Sequence, residues 1–90
     1  MPGITIDESR VVHIFREAEG HFREDTDANR RLLIEVASRE ANFLGTDQAS
    51  NDWYAENRAD GTQVWVRVRR GKIVNGGMNH NPRDFTGLPR

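Results

Sequence analysis

A chain of 90 residues, 30% of them charged and none of them cysteine, is the size of one domain and has neither disulfides nor thiolate ligands to hold it together. No apolar run approaches the roughly 20 residues that cross a bilayer, and no basic segment followed by an apolar one opens the chain, so residues 1–90 read as a single soluble domain without an export address of its own. The net charge of −1 hides a division at Trp53: residues 1–52 carry 11 acids against 6 bases, and residues 53–90 carry 3 acids against 7 bases.

Ile4 and Ile6 form a short apolar entry that fits either an edge strand or a cover for the core. Asp7 or Ser9 then caps a first helix, with Glu8 suited to the positive end of its dipole. Val11, Ile14, Phe15 and Ala18 follow at i, i+3, i+4 and i+7, with Phe22 a further turn along, and this single apolar stripe predicts an amphipathic helix ending at Gly20. Asp25, Thr26 or Asp27 caps a second helix whose apolar positions are Leu32, Leu33, Val36 and Ala37, ending between Ser38 and Gly45. Asn42 to Asn51 has the polar composition of a loop, with Phe43 and Leu44 tucked toward the core.

The stretch from Trp53 to Phe85 organises the rest. Val64, Val66 and Val68 alternate with Gln63, Trp65, Arg67 and Arg69, the period of two of a strand with one buried face. Asp60-Gly61 and Arg70-Gly71 are turn signals on either side of it. Lys72 to Met78 returns as a third strand, and Gly76-Gly77 marks a bulge or a close approach of backbone. The resulting expectation is an α+β domain in which two N-terminal helices pack on the valine face of a three- to four-stranded antiparallel meander. Beyond Asn79 the tail contains two prolines and no clear period, and Phe85 is its one anchor.

Of the 13 bases, 12 are arginine, the fork-shaped donor suited to phosphate or carboxylate. Three histidines are available. His13 lies about 200° around the first helix from Val11, on the solvated side, whereas His21 at the junction of the two helices and His80 in the run Asn79-His80-Asn81-Pro82-Arg83 are candidates for chemistry. Histidine spacing gives no metal pair, no glycine-rich phosphate loop precedes a helix, and Ser9, Ser38 and Ser50 are explained by caps, helix and loop. RNA cleavage needs none of these, because the neighbouring 2′-hydroxyl is the nucleophile and the protein moves protons and stabilises a phosphorane. An arginine-rich sheet face with Trp65, and Trp53 and Tyr54 beside it, also provides the phosphate contacts and stacking that single-stranded nucleic acid takes.

The order helix, Gly20-His21-Phe22, Asp25-Thr26, Asn29-Arg30, Trp53-Tyr54, then Asp60-Gly61-Thr62-Gln63-Val64-Trp65, Gly71-Lys72-Ile73, Asn75-Gly76-Gly77-Met78-Asn79 and Pro82-Arg83 resembles one group of bacterial proteins. These are the carboxy-terminal toxin domains of polymorphic and contact-dependent inhibition systems, in particular the metal-independent RNase fold of barnase-like, EndoU-like and RelE-like toxins. Over roughly residues 10–85, the resemblance implies helices before an antiparallel sheet whose face holds the active site, no cofactor, an RNA substrate, a cognate immunity protein and a cytoplasmic site of action reached by delivery as part of a larger protein. It carries over a histidine on the helical segment, for which His21 is the candidate, and polar or basic residues on the sheet. The expected roles follow: His21 as general base or acid, His80 or Tyr54 as the second proton-transfer group, and Arg67, Arg69 and Arg83 on the phosphorane. Asn75, Gly76, Gly77, Asn79 and Arg83 would line a concave site with Lys72 nearby, and Gln63 and Trp65 would face the substrate. Two alternatives stay open: a non-catalytic nucleic-acid- or protein-binding module, and an immunity or antitoxin protein whose acidic half mimics nucleic acid.

Overall fold

Alternation in the second half of the chain becomes the middle of a sheet. A computed structural model describes residues 3–85, in which β3 (Asp52–Asn57), β4 (Gln63–Arg69) and β5 (Lys72–Asn79) run as an antiparallel meander. β2 (Phe43–Thr46) pairs antiparallel with β3 at one edge, and β1 (Thr5–Ile6) pairs parallel with β5 at the other. The described residues therefore form an α+β domain around a five-stranded mixed sheet of order β1-β5-β4-β3-β2. The expected three- to four-stranded antiparallel sheet was too small and of one type only. Both edges explain this: β1 has two residues, too few to show a period, and in β2 the register shifts at Gly45, whose φ is 147°.

Turn chemistry follows the sequence signals. Gly61 has φ 88°, and Asp60 accepts the amide and hydroxyl of Thr62 at 3.0 and 2.6 Å. At the β4–β5 turn both Arg70 (φ 53°) and Gly71 (φ 77°) have positive φ, as a type I′ hairpin requires.

The helical half departs further from expectation. Asp7 caps as predicted, its carboxylate accepting the Ser9 amide at 3.0 Å, and a single 3₁₀ turn over Glu8–Arg10 leads into α1 (Val11–Ile14). There the first helix stops, well short of Gly20. Phe15 is extended (φ −108°, ψ 101°) and bridges Phe22, and the amide of Arg16 donates to the Phe22 carbonyl at 2.9 Å. Ile14, Phe15 and Phe22 are buried as their apolar character requires, but Ala18 is exposed. A stripe of apolar residues is compatible with a helix and with a short loop that folds back on itself; here the pairing of Phe15 with Phe22 satisfies the backbone instead. α2 (Asp27–Ser38) forms as expected, with Thr26 as its cap accepting the Asn29 amide at 3.1 Å.

Val64, Val66 and Val68 are buried on the face that α2 covers through Leu33, Val36 and Ala37. The cover is thus α2 rather than the first apolar stripe, whose helix α1 touches β5. Nor does β5 break at Gly76-Gly77. Its register shift lies between Ile73 and Asn75, opposite Arg67 and Val68, and the strand runs on to Asn79. The two glycines serve close packing on opposite faces. A methyl group at position 76 would meet Leu33 Cδ2 at 3.0 Å, and one at position 77 would lie 1.9 Å from Gly20 O and 2.8 Å from His21 Cα.

These contacts rank two substitutions. Gly77→Ala forces backbone to move and should destabilise by about 2–4 kcal/mol, whereas Gly76→Ala meets Leu33, which can shift, and the Trp65 carbonyl only at 3.1 Å, and should lose about 1–2 kcal/mol. Val66→Ala, at a fully buried site, should lose about 1–3 kcal/mol. Urea denaturation of the three variants tests the order; equal midpoints for the two glycine variants would contradict the backbone contact.

Candidate functional site

The second face of the sheet carries Trp53 from β3, Gln63, Trp65 and Arg67 from β4, and Asn75, Gly77 and Asn79 from β5, since these residues pair across the strands. Because Gly77 has no side chain, the loop between α1 and α2 can lie directly on the strand there, with the Gly20 peptide against it. The indole of Trp65, opposite Gly77, donates to Gly20 O at 2.9 Å and fixes the loop from the other side.

This seat orients His21. Its ring stands edge-on to Trp65, centroids 5.5 Å apart and planes at 79°. Nδ1 lies 3.1 Å from Ile14 O, and because a carbonyl only accepts, Nδ1 carries the hydrogen and the neutral ring keeps its lone pair on Nε2. Arg16 Nη2 lies 3.3 Å from that Nε2 and donates to it. His80, exposed just past the end of β5, shares with His21 a cleft of about 430 Å³ whose other walls include Arg16, Glu19 and Arg23. Next to it, Arg83 and Asn79 line a cleft of about 220 Å³ with His21, Trp53, Trp65 and Phe85.

The aromatic residues stack upon one another. Trp53 and Trp65 lie nearly parallel, 6.0 Å apart at 21°, and Phe85 tilts onto Trp53 at 5.9 Å. Arg67 sits over Trp53 with its guanidinium carbon 5.6 Å from the ring, a cation–π arrangement. Arg67 Nε is buried and has no hydrogen-bond partner among the described residues. The Trp53 indole donates to Asp47 Oδ2 at 2.9 Å. That bond, with the amides of Ala49 and Asn51, lowers the Asp47 carboxyl to about 2.

Two residues read as substrate-facing are occupied by the protein itself. Gln63 is buried; its amide nitrogen donates to Asn57 Oδ1 (3.2 Å) and Arg83 O (3.1 Å), and its oxygen accepts from Asn79 Nδ2 and Arg83 N, both at 3.0 Å. With all these bonds made inside the chain, Gln63 latches the segment after β5, and Asn79, also buried, completes the latch. The effect is to hold the Arg83 backbone while its side chain lines the cleft.

Other candidates lie elsewhere. Tyr54 pairs with Val66 on the helix-covered face, so the sheet separates it from His21; burial, then the charges of Asp52 and Glu40, raise its phenol. Lys72 pairs with Arg69 at the opposite end of β5 from Asn79, roughly 23 Å away at the usual rise of a strand. Asn75 pairs with Arg67 at mid-strand, and its side chain accepts the Gly76 amide at 3.0 Å. The structure thus gathers His21, His80, Trp65, Asn79 and Arg83, and leaves Tyr54, Arg69 and Lys72 outside. It adds Arg16 and Glu19, which fall in the stretch expected to be helix, and Arg23, just past the expected helix end at Gly20. Among the described residues no three of histidine, aspartate and glutamate gather as metal ligands.

Comparison of the chain with models of protein families, with curated proteins and with solved structures finds no match.

Asp47 gives this face a pH dependence whose sign is fixed. Its folded value, about 2, lies below the ordinary 3.8, so its contribution to stability is complete above about pH 4 and is lost as the pH falls toward 2. Asp47→Asn should therefore flatten the stability profile across that interval and leave its slope above pH 5 unchanged. Denaturation midpoints measured against pH for the two proteins check it; parallel curves would remove Asp47 from the account.

Proposed function

We propose that this domain is a metal-independent endoribonuclease of the toxin type, cleaving RNA by attack of the 2′-hydroxyl on the adjacent phosphate. The observation that supports this reading is that His21 and His80, brought by different elements, line one cleft together with Arg16 and Arg23. Such a reaction needs one group to take a proton from the 2′-oxygen, another to give one to the departing 5′-oxygen, and fixed positive charge for the phosphorane.

Each requirement has a candidate. His21, with Nδ1 committed to Ile14 O, offers Nε2 as the base. His80 on the exposed wall gives the proton to the leaving oxygen. Arg16, now the donor to Nε2, turns to the phosphate when substrate enters, with Arg83 beside it, while Arg23 stays paired with Glu17 at 3.2 Å. Trp65 and Trp53 provide ring faces beside the cleft for the flanking bases. The products carry a 2′,3′-cyclic phosphate. In the setting implied by the sequence resemblance, the domain acts on cytoplasmic RNA and is held in check by an immunity protein.

A second reading, a non-catalytic nucleic-acid-binding module, draws on the Arg67–Trp53–Trp65 stack. Cleavage assays with variants separate the two. His80 is exposed and its bonds are not part of the packing described above, so His80→Ala should slow cleavage by about 10² to 10⁴ with no change in denaturation midpoint. His21→Ala should slow it similarly and also lose about 1 kcal/mol of stability, because the bond to Ile14 O goes with it. Activity should survive EDTA. RNA bound but uncleaved by the wild type would return the domain to the binding reading, and undiminished cleavage by both variants would reject the two histidines.

A further inference from the structure

On the other face of the sheet, away from both histidines, an open cleft of about 560 Å³ lies between the end of α2 and strands β2 and β3. Its apolar walls are Ile4, Ala37 and two aromatic rings, Phe43 and Tyr54, 5.5 Å apart at 58°. Phe43 is 36% exposed, one of two large hydrophobic side chains left open to solvent among the described residues. Glu40 and Asp52 stand on the same cleft. Among the described residues neither forms a salt bridge, while Glu8, Glu17, Asp25 and Glu56 each do.

The backbone adds charge of the same sign. α2 is 12 residues long, its last turn contains no basic residue, and its carboxy-terminal residues Ala37 and Ser38 line the cleft, so the negative end of the helix dipole lies beside it, although Ser38 Oγ and Asn42 Nδ2 donate to two of its last carbonyls, Ile34 O and Val36 O. Both carboxylates are near enough to oppose ionisation of the Tyr54 phenol, which burial raises first. Among the described residues that line the cleft the charged side chains, Glu40 and Asp52, are both negative, and Ile4, Ala37, Phe43 and Tyr54 make most of the remaining wall.

We infer that this cleft binds an organic monocation, an alkylammonium or alkylguanidinium, with its stem against Ile4 and Ala37 and its charged head between the two rings and the two carboxylates. Ring faces attract a cation through their quadrupole, and the attraction grows as the cation is desolvated. An anion meets only repulsion here. A divalent metal is a poor fit, because the two carboxylates come from different elements and no third ligand of histidine, aspartate or glutamate joins them among the described residues. The cation is either a free amine or the side chain of a lysine or arginine on a partner. The inference stands apart from the ribonuclease reading, since it uses none of the same residues.

The test is an amide chemical-shift titration of the full chain at constant ionic strength with n-butylguanidinium, n-butylammonium, n-butanol and a blocked glycine-arginine-glycine peptide. Both cations should shift Ser38, Phe43, Asp52 and Tyr54, with n-butanol binding about tenfold more weakly. Glu40→Gln together with Asp52→Asn should weaken the cations by about five- to tenfold and leave n-butanol unchanged. A peptide tighter than n-butylguanidinium assigns the site to a partner's side chain; equal or weaker binding assigns it to a free amine. Shifts of equal size with n-butanol, shifts absent at these residues, or cation binding unaltered in the double variant would overturn the inference, whatever the result with RNA.

Discussion

One backbone contact governs the candidate active site: the Gly20 peptide lies on Gly77, where no side chain of any size would fit. From it follow the position of the loop between α1 and α2, the bond from the Trp65 indole to Gly20 O, and the edge-on stance of His21 against Trp65. A histidine on a free loop would sample many orientations. Here the ring is held by a strand beneath it, an indole beside it and the Ile14 carbonyl behind it, which is the kind of support that keeps a reactive side chain within a narrow range of geometry. The same reasoning makes Gln63 a supporting residue, because it fixes Arg83 from below through paired bonds to that residue's backbone.

Charge is sorted by the fold as well as by the sequence. Several acids of the first half and β3 are spent on internal pairs: Arg30 is held by Asp25 and Glu8, which raise its basicity, and Glu56 pairs with Arg39 and Arg58. Exposed pairs of this sort add little stability. Their consequence is local, since they neutralise Arg30, Arg39 and Arg58, while Arg16, Arg67, Arg69, Lys72 and Arg83 form no salt bridge among the described residues. Arg67 stands out there, half-buried over Trp53 with Nε unpartnered among the described residues, so its charge is offset by a ring face rather than by a carboxylate.

Much of the sheet was legible because its middle strands obey a single period. Val64, Val66 and Val68 could face only one way, and Asp60-Gly61 and Arg70-Gly71 supplied the positive φ that the hairpins use. α2 was legible through its cap and its four apolar positions. The first helix was not, because Ile14, Phe15 and Phe22 mark burial and burial alone; nothing local distinguishes a helix stripe from a loop closed by pairing of Phe15 with Phe22. At the site, His21, His80 and Arg83 were identifiable by residue type, but Gln63 and Asn79 read as open amides when they are bonded to each other across the sheet. Partners 16 residues apart in sequence leave no local signature. Tyr54 was misassigned for a simpler reason: with a period of two, its neighbour Trp53 takes the second face and Tyr54 must take the first.

That alternation also sets the electrical design of the molecule. Along β3, Trp53 turns toward the arginine face while Asp52 and Tyr54 turn toward the cleft beside α2. A single strand thus separates a cleft where arginines, histidines and the carboxylates of Glu17 and Glu19 meet from one whose charged side chains are Glu40 and Asp52. Opposed fields across a sheet orient a charged partner during approach, more effectively at low salt than at high. The small net charge of −1 is accordingly no guide to the charge beside either cleft, because Trp53 and Tyr54 are neighbours in the chain and stand on opposite faces of one sheet.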